Sequence, residues 1–124
     1  MTSVTDELVG AGAEAGTSTI PVKAISDAID KAWAMSISTS TRVEIDATTN
    51  TLVGYMHRLQ GQALGEDQDR AALQMLRMVE RHLSMEKRPT SRTPAHDAFG
   101  YLKDTIVFAS TLLSLYQKTH ERDT

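Results

Sequence analysis

Four histidines, a row of methionines and a run of arginines are the residues of this chain whose chemistry deserves a first test. The histidines are His57, His82, His96 and His120. Two imidazoles hold a metal from one helix face only when they recur four apart, or when one pairs with a glutamate three residues away. Neither spacing occurs, so no metal site is expected. Met75, Met78 and Met85 follow one helical strip with His82. Thioethers there fill gaps in a core, or make an adaptable binding groove; soft-metal ligation would need a fuller ligand set than the strip holds. Trp33, Tyr55, Met75 and Met78 are the candidate lining of an apolar pocket.

Nucleophile chemistry has less support. The chain has no cysteine. That removes thiolate catalysis, disulfides and cysteine-based zinc or iron–sulfur sites. No serine stands in a Gly-x-Ser-x-Gly elbow. Gly10, Gly12 and Gly16 lack the lysine and the strand–helix setting of a phosphate loop. Asp27 and Asp30 read as a solvated helix face, and Glu80 and Glu86 as partners of Arg77, Arg81 or Arg88. No catalytic residue and no cofactor is assigned, and the residues lean away from an enzyme without excluding one.

The basic run is real but local. Between Arg70 and Arg92 stand six basic residues and two acidic ones. Arg77, Arg81, Arg88 and Arg92, with Thr90, Ser91 and Thr93 nearby, are the candidate phosphate contacts of a nucleic-acid-associated regulator. The same charges also suit a helix C-terminus. The formal net charge of the whole chain is −3, so no global field draws it to nucleic acid or anionic lipid.

These residues need elements to position them. With 124 residues, of which 40% are apolar and 23% charged, the chain has room for one globular domain. Residues 1–19 are rich in Gly, Ala, Ser and Thr and read as a flexible tail. Hydrophobic spacing then predicts four helices, hence an all-α, four-helix bundle-like domain over residues 20–124. The first covers about 21–37, opened by Pro21 and carried by Val22, Ile25, Ile29 and Ala32. The second covers about 46–64, capped by Asp46, with Leu52, Met56 and Leu59 on one face; Ser36 to Thr41 read as connector, and a short extended piece over Arg42 to Ile45 is the alternative at this boundary. The third covers about 67–85, capped by Asp67, with Ala72, Leu76, Val79 and Leu83 inward. The fourth covers about 94–120, opened by Thr93-Pro94.

The fourth helix is the most informative. Phe99, Leu102, Ile106, Ala109, Leu113 and Tyr116 step by threes and fours. A second row, Tyr101, Phe108, Leu112 and Leu115, runs beside it, interrupted by Thr105. A surface helix needs one apolar stripe of roughly 100°. Two rows require that this helix be central, or that Tyr101, Phe108, Leu112 and Leu115 meet a partner or a second copy. No apolar stretch reaches the ~20 residues of a membrane span, and no signal-peptide pattern opens the chain. The expectation is a soluble cytoplasmic protein.

Leu52-Val53-Gly54-Tyr55-Met56-His57-Arg58-Leu59, Asp69-Arg70-Ala71-Ala72-Leu73, Arg81-His82-Leu83, and Ala109 with Leu112-Leu113 and Tyr116 together carry a resemblance. Over residues 46–120 the pattern resembles an actinobacterial family of small helical proteins labelled "natural product biosynthesis protein". Its members often have Arg-Gly-His where Val53-Gly54-Tyr55 stands here, and Pro-Glu in place of Gly61-Gln62. The resemblance implies an association with secondary metabolism and no reaction or catalytic residue. Taken together, the sequence points to a non-catalytic accessory or regulatory protein acting by protein–protein contact, with a homodimer expected.

Overall fold

The computed structural model describes residues 20–84 and 87–122, with side chains described as far as 120. Among them run four helices and no strand: α1 (Val22–Trp33), α2 (Arg42–Gln60), α3 (Arg70–His82) and α4 (Ala95–Arg122). They pack into an all-α bundle. No helix among the described residues is long and apolar enough to cross a membrane. The tail expected over residues 1–19, and Met85 at the end of the third element, lie outside the described residues.

The helix boundaries follow local hydrogen-bond chemistry. Pro21 occupies the N-cap of α1 rather than its first turn, and no side chain caps it. The buried Ile20 anchors the entry. α1 ends at Trp33, short of Ile37, because the next amides turn back: Ala34 N–H reaches Asp30 O at 3.2 Å and Met35 N–H reaches Ala32 O at 3.1 Å. Ser36 to Thr39 then form a tight turn.

α2 starts at Arg42, not at Asp46, because Thr41 and Glu44 make a reciprocal capping box. Thr41 Oγ1 accepts from the Glu44 amide at 3.1 Å, and Glu44 Oε1 accepts from the Thr41 amide at 2.7 Å. Two of the amides that a helix start leaves orphaned are thereby paired. Arg42 to Ile45, expected to lie before the helix, are therefore helical. α3 starts at Arg70 rather than Asp67, since the capping carboxylate is that of Asp69, 2.9 Å from the Ala71 amide. Between α2 and α3 the chain reverses at Gly65, whose φ of 83° is a conformation that side-chain-bearing residues rarely adopt.

The core is one cluster. Ile25, Ile29 and Ala32 enter from α1; Ile45, Leu52, Met56 and Leu59 from α2; Val79 from α3 with Leu83 just beyond it; and Leu102, Ile106, Ala109, Leu112 and Leu113 from α4. α4 touches all three other helices, α2 most extensively. Leu102, Ile106, Ala109 and Leu112 are sealed inside one chain, while Tyr101, Phe108 and Leu115 of the second row are partly buried. Leu112, placed in the sequence on a candidate partner-facing row, is 0% exposed. α3 is the shallowest helix, with only Ala72 and Val79 buried along its length.

Candidate functional site

Thr105 explains how polar chemistry enters this apolar bundle. It interrupts the second row of α4, yet it is fully buried. Its hydroxyl donates to Tyr101 O, one turn back, at 2.7 Å. That uses its only proton, so the 2.8 Å contact with His82 Nε2 must run the other way, from the ring N–H to the hydroxyl oxygen. The hydrogen bonds thus assign the Nε2–H tautomer to His82 and leave Nδ1 with a lone pair that no described residue meets.

Tyr101 closes the circuit. Its phenolic hydroxyl donates to His82 O at 2.6 Å. Its ring lies flat against the imidazole, with centroids 4.1 Å apart and planes 11° from parallel. Phe108 meets the imidazole with ring centroids 4.9 Å apart and planes tilted by 48°. Tyr101, Thr105 and Phe108 recur at intervals of four and three on α4, so one helix face presents all three to the C-terminal end of α3. The result is a rigid aromatic wall that fastens the shallow α3 to the central α4.

Burial holds the His82 pKa below its ordinary value; the Asp104 carboxylate opposes that shift and Lys87 adds to it. His82 is therefore neutral near pH 7. Burial pushes the Tyr101 phenol up, against a smaller opposing pull from Arg88. His82 and Thr105 superficially match a base–nucleophile pair. The hydroxyl, however, is sealed in the core with its proton engaged by a backbone carbonyl. It has no face open to a substrate.

Beside this wall, between α3 and α4, lies a cleft of about 260 Å³ lined by Met78, Arg81, His82, Lys87, Tyr101, Asp104 and Phe108. The floor is aromatic and thioether; the rim is charged. Met78, half exposed, is the only one of the four expected pocket residues to line it. Trp33 instead sits half exposed beneath the Lys103 ammonium, 4.9 Å from its ring centre, while the same ammonium lies 5.4 Å from Phe99. Tyr55 and Met75 are partly buried elsewhere. Of the row expected to face a partner, Leu112 is core, Leu115 packs partly buried against the core, and Tyr101 and Phe108 form the cleft.

The four arginines separate. Arg77, Arg81 and Arg92 are exposed. Arg88 is tied to α2, its guanidinium donating to Asn50 Oδ1 at 3.1 Å. Arg42, from α2, clasps the same loop by donating to Thr90 O at 2.7 Å and to Thr93 O, while its Nε holds Asp46 at 2.9 Å. The connection between α3 and α4 is thus fastened to α2 from both sides. Thr93, expected to cap α4, turns its hydroxyl back into this loop to accept from the Thr90 amide at 2.8 Å.

The remaining histidines do not converge with His82. His57 and His96 are exposed. His120 packs on Tyr116 with ring centroids 4.0 Å apart and donates from Nδ1 to Tyr116 O at 2.9 Å. Among the described residues no group of three histidines or acids is placed to hold a metal ion. The His82–Tyr101–Thr105 circuit was not visible in the sequence, because its partners lie 19 and 23 positions apart. The one available signal was Thr105 itself, a polar residue set in an apolar row.

Compared with protein families, curated proteins and solved structures, the chain finds no match in any of the three.

Proposed function

We propose that this chain is a non-catalytic accessory or regulatory protein that acts by binding, with the α3–α4 cleft as its binding place. The observation that carries this reading is the convergence of His82, Tyr101, Phe108 and Met78 with three charged side chains around one concavity. Binding sites typically combine an apolar or aromatic floor with a few placed polar groups. A link to secondary metabolism belongs to the proposal on the strength of the sequence resemblance alone. A second copy as the occupant has weaker support, because Leu112 lies in the core of a single chain.

A thermal-shift screen of small organic compounds on wild type and Met78→Glu tests it. Met78 is half exposed, so its replacement leaves the core intact. A ligand at 100 times its dissociation constant stabilises the native state by about 2.7 kcal/mol. The proposal expects compounds that raise the melting temperature of wild type and fail to raise that of Met78→Glu. Compounds that act equally on both proteins contradict it. Duplex DNA at low salt is the contrasting arm: a salt-sensitive shift lost in Arg77→Gln/Arg92→Gln would favour the nucleic-acid reading instead.

A further inference from the structure

Resting on that reading, we infer that the α3–α4 cleft takes a small planar carboxylate, an aromatic or conjugated acid whose ring lies on the His82–Tyr101–Phe108 wall and whose anion meets Arg81 and Lys87. The shape comes from the wall. His82 and Tyr101 are stacked within 11° of parallel. Tyr101 is held by its bond to His82 O, and the imidazole by its bond to Thr105. The stacked faces cover each other, so the surface is fixed before a ligand arrives, and the face of a flat π-system packs on the ring edges without reordering any ring. Met78, half exposed at its margin, supplies a polarizable thioether that adapts to the ring edge.

The charge comes from the rim. Among the described residues, Arg81 and Lys87 line the cleft with one acid, Asp104. Neither cation makes an ion pair with a described residue. The imidazole adds no charge near pH 7, so among the described residues the excess is cationic and rests on these two side chains. A guanidinium takes a carboxylate through two parallel hydrogen bonds, which fixes the acid group relative to the ring. A volume of about 260 Å³ suits a ligand of one or two fused rings.

The test uses 2-naphthoate and its uncharged analogue 2-naphthylmethanol, titrated into the full chain near pH 7. The Met78 methyl signal and the His82 ring-nitrogen signals report the location. The expected result is that 2-naphthoate perturbs both reporters and binds about five- to tenfold tighter than the alcohol. Arg81→Gln/Lys87→Gln, both at exposed positions, should erase that difference without weakening the alcohol. Asp104→Asn should tighten the acid only. If the acid and the alcohol perturb the same reporters with equal affinity, the carboxylate assignment is overturned while the cleft survives as a binding place. If neither compound moves the Met78 or His82 signals, this inference fails. If the screen above also yields no cleft-dependent compound, the function proposed for the cleft fails with it.

Discussion

At the scale of single residues, Thr105 and His82 depend on each other. The hydroxyl buried in α4 gives the imidazole N–H its acceptor, and the imidazole gives α3 its polar attachment. Thr105→Val keeps the shape but removes the acceptor. A half-buried donor left without a partner costs about 1–3 kcal/mol. Denaturant unfolding should therefore show Thr105→Val destabilised by that amount, with the His82 ring-nitrogen shifts moving away from a single Nε2–H tautomer. A variant as stable as wild type, with unchanged ring shifts, would remove the circuit from the account.

The same histidine gives stability a pH dependence whose sign is fixed. Burial depresses the folded-state pKa below the 6.5 of an ordinary histidine. Between those two values the unfolded chain binds more protons than the folded one, so stability rises with pH there. His82 thus contributes in full above about pH 6.5. That contribution is lost as pH falls through 6.5 toward the folded value. The charged groups facing it are Asp104, Lys87 and Arg81. Unfolding midpoints should fall from pH 7 to pH 5 in wild type and fall less steeply in His82→Gln.

At the scale of elements, what was legible was periodicity, and what was not was capping. The two rows of α4 are visible as spacing; Pro94 stands just before its start at Ala95, but Thr93 does not cap it. The start of α2 was hidden because Thr41 closes a run of serines and threonines that reads as connector. Thr48, Thr49 and Thr51 are weak helix formers and reinforce that reading. Tertiary burial overrides the propensity: Thr49 is nearly sealed in the core and donates its hydroxyl to Ile45 O at 2.8 Å, so its polar group is satisfied within the helix. The capping box then sets the boundary. Thr41→Ala should cost about 0.5–2 kcal/mol in thermal or denaturant unfolding, with the amide signals of Val43 and Glu44 exchanging faster. An unchanged melting temperature would mean that Arg42 and its grip on the α3–α4 loop hold this start unaided.

The candidate site was less legible than the fold. Sequence spacing shows which residues share a helix face, and it placed Tyr101 and Phe108 on one. It cannot show that His82, on another helix, stacks against that face. The charge run was legible as composition, but its members have separate tasks: Arg81 lines the cleft, while Arg88 fastens the loop to α2.

At the scale of the whole molecule, the excess apolar surface of α4 is resolved by position. A helix surrounded by three others can be apolar over most of its circumference with no partner outside the chain. Leu112→Ala in that core should cost about 2–5 kcal/mol, as removal of a sealed leucine does. The loss should appear equally at low and high protein concentration. A midpoint that depended on concentration in wild type would point to cover from a second copy. α3, with the fewest buried residues, is the element most easily detached, and the cleft lies along its edge.

Native-state amide hydrogen exchange reads that arrangement most directly. The account predicts that amides from Leu102 to Leu113 are the slowest in the chain, with protection independent of protein concentration. The amides of α3 should exchange through a separate, lower-energy opening. Rapid exchange over Leu102–Leu113 in dilute protein, slowing as concentration rises, would contradict it, because α4 would then owe its cover to another molecule rather than to its own chain.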